Sequence, residues 1–161
     1  MDPIHFYSTI GPYGCFSNFS KHPVTIDGLE YPTSEHFYQS QKFRDFEMRE
    51  KIRLCPTPKE AARLGRAPHP SYEPEWDALK DAVMFIAVAA KAVQNKEVAA
   101  ALASTGNLVI IEDAKTDSYW GCGADGLGKN QLGKTLMAVR EMLKHTPDVL
   151  KKFVEDWASA G

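Results

Sequence analysis

Three polar side chains in the segment YPTSEHFYQSQKF have the types and the spacing of a catalytic group. Glu35, Gln39 and Lys42 occupy positions i, i+4 and i+7, so a helix would place them on one face. A carboxylate that exchanges protons beside an amine that attacks carbon supports acid–base or covalent chemistry. The other interpretation is a solvated stripe with a weak Glu–Lys ion pair. Functional sites gather near loops such as the one before this segment, which adds weight to the catalytic interpretation.

A glycine-rich segment near the C-terminus is a candidate phosphate cradle. Five glycines lie between Gly121 and Gly133, and a helix is predicted to begin near Gln131. Glycines let a backbone approach a ligand closely, and a helix N-terminus offers free N–H groups and a positive dipole end. Lys129 and Lys134 add positive charge. The alternative is a flexible turn without a ligand.

Residues 128–135, GKNQLGKT, also match the P-loop pattern G-x-x-x-x-G-K-T. That pattern binds a nucleotide only when the loop follows a buried strand and an Asp at the end of another strand binds Mg²⁺. The residues before Gly128 are glycine-rich and predict no strand, and no apolar run ending in Asp follows. A P-loop NTPase is therefore disfavoured.

Aromatic residues lie beside polar ones in three places, and aromatic rings in loops can stack on nucleic-acid bases. The first is Phe16-Ser17-Asn18-Phe19, the second is Trp76, and the third is Tyr119-Trp120. Trp76 falls early in a predicted helix, where packing on the core is the simpler expectation. Trp120 lies in a predicted loop, a less usual place for a packing tryptophan.

Composition restricts the classes of protein and the setting. The 161 residues are 43% hydrophobic and 25% charged with a net charge of −2, which indicates a globular domain and argues against a DNA-coating protein. No stretch reads as a signal peptide or a membrane span, and the three cysteines suggest no disulfide framework. We expect a reducing compartment, which is the cytoplasm or, if the protein is eukaryotic, also the nucleus. No histidine or cysteine spacing predicts a metal site.

The predicted elements are strands first and then helices. We expect a strand over 4–8, a hairpin over 23–31 that turns at Asp27-Gly28, and buried strand residues over 108–111. Helices are predicted from Thr33 or Ser34 to about Phe46, and over 58–64, 75–95, 96–104, 131–144 and 147–158. Thr57 should cap the second of these, Gly65 should stop it, and Thr146 should cap the last. The result is one mostly helical α+β domain over 1–161 with a small β-sheet.

Several motifs in order make the chain resemble the YbiA-like/NADAR family. They are CFSNFS, PVTIDGLEYPTSEHFYQSQKF, AARLGR and DSYWGCGADGLGKNQLGKTLMAVRE, and they span about residues 6–143, so the helix over 147–158 is an addition. The resemblance implies a compact α+β N-glycosidase without a cofactor. Members of this family cleave bonds between a ribose phosphate and an amino group. One branch acts on riboflavin-pathway intermediates, and another removes ADP-ribose from guanine in nucleic acid.

The resemblance also implies roles for residues at matching positions. Glu35, Lys42 and Asp117 are the candidate catalytic residues. The expected substrate is ADP-ribose on guanine of DNA or RNA. A riboflavin-pathway ribosylamine phosphate and a non-catalytic ADP-ribose reader are the alternatives. No membrane partner is expected, and the oligomeric state stays open. The candidate substrate-binding residues are Asn18, Gln39, Arg66, Trp76, Trp120, Gly121, Gly128, Lys129, Asn130 and Gly133.

Overall fold

Four short strands form two separate pairs. The computed structural model describes residues 1–157. β1 (Ile4–Phe6) runs parallel to β4 (Ile110–Glu112), and β2 (Val24–Ile26) runs antiparallel to β3 (Leu29–Tyr31). The predicted α+β class is confirmed, although the expected small sheet is two sheets of two strands each.

The β2–β3 hairpin turns where the sequence predicts it. Asp27 and Gly28 both have positive φ angles, 53° and 78°, as a type I′ turn requires. β4 begins two residues later than predicted, because Val109 is exposed and Ile110 is the first residue to pair with β1. Glu112 therefore ends the strand.

The first helix is much shorter than the sequence suggests. α1 spans Ser34–Ser40, and the Thr33 side chain caps it by accepting a hydrogen bond from the His36 N–H. The predicted end near Phe46 is wrong: after Ser40 the chain turns, and α2 (Phe46–Arg53) begins a new helix. The backbone of residues 42–44 instead bonds to residues 71–73, and the Phe43 side chain is fully buried in a small second core.

α3 (Pro58–Arg66) begins as predicted, with the Thr57 hydroxyl accepting from the Glu60 N–H. The prediction that Gly65 stops this helix is wrong, because Gly65 lies inside its last turn. A Cβ atom at Gly65 would overlap the Gln39 amide of α1. The glycine is there to let two helices approach closely.

The main core forms around α4 (Trp76–Gln94), which lies within one residue of its predicted bounds. α5 (Lys96–Ser104), α6 (Gln131–His145) and α7 (Pro147–Glu155) pack with it. Thr146 does not cap α7 as predicted, since its hydroxyl bonds to the Met142 carbonyl. The predicted end of α7 at Ala158 lies outside the described residues. Within residues 1–157, no helix combines the length and the apolar character needed to cross a membrane.

Candidate active site

A cavity of about 530 Å³ opens between α1 and the loops that follow β1 and β4. Residues from several distant parts of the chain meet in it. They are Tyr7, Ser8 and Thr9 after β1; Ser17, Asn18 and Phe19 before β2; Glu35, Tyr38, Gln39 and Lys42 in and after α1; Arg66 and Met84 from α3 and α4; and Glu112, Asp117, Trp120 and Leu132 from β4 onward.

All seven residues of α1 are buried, although five of them have polar or charged side chains: Ser34, Glu35, His36, Gln39 and Ser40. His36 is satisfied by Thr33 and by the Cys55 carbonyl, 2.8 and 3.0 Å away. Glu35 and Gln39 face the cavity instead. The interpretation of a solvated surface stripe is therefore wrong, because Glu35 and Gln39 are buried in the wall of a cavity and do not lie on the exposed surface.

Burial raises the pKa of the Glu35 carboxyl, because a low-dielectric surrounding disfavours the ionised form. The Gln39 amide, with Nε2 3.5 Å from Glu35 Oε2, opposes this rise, as do the positive charges of Lys42 and Arg66. The Gln39 Oε1 atom has no hydrogen-bond partner among residues 1–157. The raised pKa favours the protonated carboxyl, which is the form that can donate a proton.

Lys42 lies two residues beyond the end of α1, in a turn. Its carbonyl accepts a hydrogen bond of 2.7 Å from the Glu73 N–H, which fixes the backbone at this point. Its Nζ atom lies 5.6 Å from the centre of the Tyr38 ring, over the preceding turn of the chain. Burial lowers the pKa of the Lys42 amine, and the charges of Arg66 and Lys80 lower it further, against the opposing effect of Glu35. A lowered pKa leaves more of the amine neutral and nucleophilic.

Two further carboxylates reach the cavity, and only one of them was predicted. Asp117 Oδ1 accepts hydrogen bonds of 2.9 Å from the N–H groups of Tyr119 and Trp120, so it holds this loop in shape. Glu112 was missed. Burial, with Asp117 and Glu35 nearby, raises the pKa of Glu112 to about 7. One sequence signal could have revealed Glu112: it is an acidic residue at the end of the apolar run that predicts β4.

The two tryptophans have different positions. Trp120 lines the cavity, with its ring centre 5.6 Å from that of Tyr38. Trp76 also packs on Tyr38, with ring centres 5.2 Å apart, but it is 5% exposed and does not line the cavity. Stacking of Trp76 on a substrate is therefore not supported, and packing on the core accounts for it.

The glycine-rich segment packs against neighbouring parts of the protein. The residues in it that were predicted to bind phosphate do not line the cavity. The amides of Lys129, Asn130, Gln131 and Leu132 donate to carbonyls of residues 118–121 over 2.8–3.0 Å, so they are not free to bind an anion. The absence of a Cβ at three glycines permits close packing: Gly121 on Ala114, Gly128 on the backbone of residues 121–122, and Gly133 on Ile110 and Asn130.

Asn130 and Lys129 also have other partners. The Asn130 side chain bridges to β4, donating to the Ile110 carbonyl and accepting from the Glu112 N–H. Lys129 is exposed, with its Nζ 5.3 Å from the centre of the Tyr119 ring. Both residues support the loop that carries Trp120.

Asn18 and Arg66 lie at opposite ends of α1. The Asn18 carbonyl accepts from the Glu35 N–H over 3.1 Å, and its Oδ1 accepts from the Ser34 hydroxyl over 2.8 Å. Arg66, exposed at the C-terminal end of α3, reaches the rim of the cavity. Within residues 1–157, no three His, Cys, Asp or Glu side chains form a candidate metal site.

The comparisons with known proteins agree with the resemblance in the motifs. The NADAR domain profile matches residues 5–144. N-glycosidase YbiA of Escherichia coli is 45% identical over 140 residues, covering 87% of this chain and 88% of the relative. N-glycosidase Npun_R5314 of Nostoc punctiforme is 43% identical over 145 residues, 88% of this chain and 93% of the relative. The NMR structure of E. coli YbiA superposes with a TM-score of 0.82 at 40% identity, covering 99% and 92% of the two chains.

The chain therefore belongs to the NADAR family. The expectation of an enzyme from a family of N-glycosidases is confirmed with it. A longer protein from Vibrio vulnificus, named riboflavin biosynthesis protein VVA0006, is 37% identical over 154 residues, covering 95% of this chain and 42% of that one.

Proposed function

We propose that this protein hydrolyses the bond between C1 of a phosphorylated ribose and the amino group of a base. The observation that carries the proposal is the position of Glu35 and Lys42 on one cavity, where burial shifts both pKa values toward neutrality. Such opposed shifts are typical of a proton donor working beside a nucleophile. Asp117 shapes the loop of Trp120, and Arg66 supplies positive charge for a phosphate.

The favoured mechanism passes through a covalent intermediate. The bond from C1 to the ring oxygen breaks to give an open-chain iminium ion while Glu35 protonates that oxygen. The neutral Lys42 amine then forms a bond from Nζ to C1 and returns a proton to Glu35. The bond from C1 to the base nitrogen then breaks while Glu35 donates a proton to that nitrogen. Water finally hydrolyses the lysine Schiff base. In the competing direct route, Glu35 orients water toward an oxocarbenium-like centre and Lys42 forms no bond.

The substrate that we favour is ADP-ribose attached to guanine of DNA or RNA. The cavity volume falls in the range that takes a nucleotide-sized ligand. A riboflavin-pathway ribosylamine phosphate is the second candidate, and the name of the Vibrio relative favours it. A reader without catalysis is the third, and it would need neither Glu35 nor Lys42.

Two incubations distinguish these candidates. The protein is mixed with an ADP-ribosylated guanine oligonucleotide and, separately, with the riboflavin-pathway ribosylamine phosphate, and the released base is measured. We expect release from the oligonucleotide. Release only from the ribosylamine phosphate would show that the riboflavin-pathway compound is the substrate. Release from neither compound would contradict the proposed N-glycosidase function.

Borohydride added during turnover tests the covalent route. Because borohydride reduces a Schiff base to a stable amine, we expect a ribosyl adduct on the peptide that contains Lys42, seen by mass spectrometry. The Lys42→Arg variant should give no adduct, since an arginine cannot form one, and Lys51→Arg on the exposed face of α2 is the control. Active turnover without an adduct would favour the direct route.

A further inference from the structure

Two aromatic side chains stand exposed at the mouth of the cavity. Phe19 is 40% exposed and Tyr7 is 63% exposed, and both line the cavity. They lie at the two ends of the connection between β1 and β2, on either side of a 3-10 turn over Gly14–Phe16. Apolar rings in water are unfavourable, and exposed apolar groups beside a cavity mark a binding surface.

The backbone that carries Phe19 is held firmly in place. The buried Lys91 amine of α4 donates to the Ser17 carbonyl over 2.7 Å, and the Ser17 hydroxyl accepts from the Phe19 N–H over 3.2 Å. The Asn18 side chain between them bonds to Ser34 and contacts the Met84 sulfur. Phe19 is therefore presented at the mouth by a fixed loop, which lowers the entropic cost of binding a flat ligand.

The backbone beside Phe19 is bonded to the helix that carries the acid of the proposed reaction. The Asn18 carbonyl accepts a hydrogen bond from the Glu35 N–H. The residue that precedes Phe19 is therefore bonded to the first turn of α1. Lys42 follows the C-terminal end of α1, and Gly65, the residue before Arg66, packs on Gln39 in the last turn of that helix. A substrate with its phosphate at Arg66 and its C1 atom between Lys42 and Glu35 can place its base toward Phe19, which lines the same cavity.

We propose that Phe19 and Tyr7 form a stacking site for the planar base that leaves the sugar. The inference rests on the proposed N-glycosidase function and adds where the leaving group binds. The ligand class is a purine or a pyrimidine-like ring, since stacking on an aromatic side chain accepts any flat π-face. The nearby Ser8 and Thr9, which also line the cavity, are polar residues beside the edge of such a ring.

Steady-state kinetics on guanosine 5′-monophosphate that carries ADP-ribose on its base tests the stacking site. We expect Phe19→Ala to raise KM about 10-fold with kcat changed less than about twofold, the size typical of losing one base–aromatic stack. Phe19→Trp should restore KM. Ile10→Ala is the matched control, because Ile10 is 85% exposed in the same loop as Tyr7 and does not line the cavity.

An unchanged KM in Phe19→Ala would overturn the stacking site. So would a rise in KM that appears only with an oligonucleotide substrate, because the ring would then contact a flanking base.

Titration with guanosine 5′-monophosphate itself separates this inference from the proposed function, since no bond is broken. We expect the wild type to bind it at least fivefold more tightly than Phe19→Ala. If that result accompanies an absence of hydrolysis, the stacking site stands and the proposed function fails. Equal affinities, or no binding to the wild type, overturn the stacking site even in an active enzyme.

Discussion

Glu112 acquires its properties from residues far from it in the chain. In the sequence it is an acid after an apolar run, and in the fold it shares a cavity with Glu35 and Asp117. Burial and the two neighbouring carboxylates raise its pKa to about 7. Like charges in a low-dielectric site cannot all ionise at little cost, so Glu112 holds a proton well above the pH at which an exposed glutamate loses it.

The raised pKa of Glu112 predicts a pH dependence of stability. Between pH 4.5 and about 7, the folded state binds more protons than the unfolded state, so the free energy of unfolding falls as pH rises through this window. Glu112→Gln removes the titrating group. Relative to this variant, the wild type should lose roughly 3 kcal/mol between pH 4.5 and 7.5, measured by urea unfolding.

Glu30→Gln, on the exposed face of β3, is the control and should follow the wild type at every pH. If the difference between the wild type and Glu112→Gln stays constant from pH 4.5 to 7.5, Glu112 does not titrate in that window.

The contact between α1 and α3 depends on Gly65. The Gln39 amide occupies the space that a side chain at Gly65 would fill, so the glycine lets α3 lie close enough to hold Gln39 beside Glu35. The same contact brings Arg66, the next residue, to the rim of the cavity. The sequence feature that resembles a helix stop is therefore a feature of helix packing.

Gly65→Ala is expected to destabilise the protein by about 1–3 kcal/mol, because the new methyl group forces Gln39 or α3 to move. The activity should fall as well, since Gln39 contacts the Glu35 carboxylate. Thermal unfolding and kcat measure the two effects. The control is Arg63→Ala on the exposed face of α3, which removes only a surface ion pair with Glu60.

A stabilised Gly65→Ala protein would contradict the packing role, because alanine favours a helix wherever it has space.

The C-terminal helix α7 lies beyond residue 144, where the family match ends, yet it packs against α4 and α6. Leu150 is fully buried in the main core, and Val154 is buried beside it. We propose that α7 and the matched region unfold together as a single domain. Helices that share one core normally lose their structure in one cooperative transition.

Leu150→Ala should lower the free energy of unfolding by about 2–5 kcal/mol, because it leaves a cavity in the main core. Val149→Ala is the matched control: Val149 is 55% exposed on the same helix and should cost less than about 1 kcal/mol. Fluorescence and circular dichroism should give the same urea midpoint. Two separate transitions, or an undisturbed Leu150→Ala protein, would show that α7 is only an appendage.

Local patterns predicted much of this molecule because their causes are local. The Thr33 and Thr57 caps, the Asp27-Gly28 turn and the bounds of α4 depend on neighbours within one or two turns of the chain. The backbone geometry at these positions and the apolar stripe of α4 can therefore be predicted from the residues alone. The motifs over about residues 6–143 likewise indicated the family.

Tertiary structure decided what those residues do. α1 ends at Ser40 because residues 42–44 bond to residues 71–73, Glu112 reaches the cavity because β4 pairs with β1, and the glycine-rich segment turns its amides toward its own carbonyls. Each of these outcomes depends on a contact between distant parts of the chain. Spacing along a sequence carries no record of such contacts, since only folding brings the partners together.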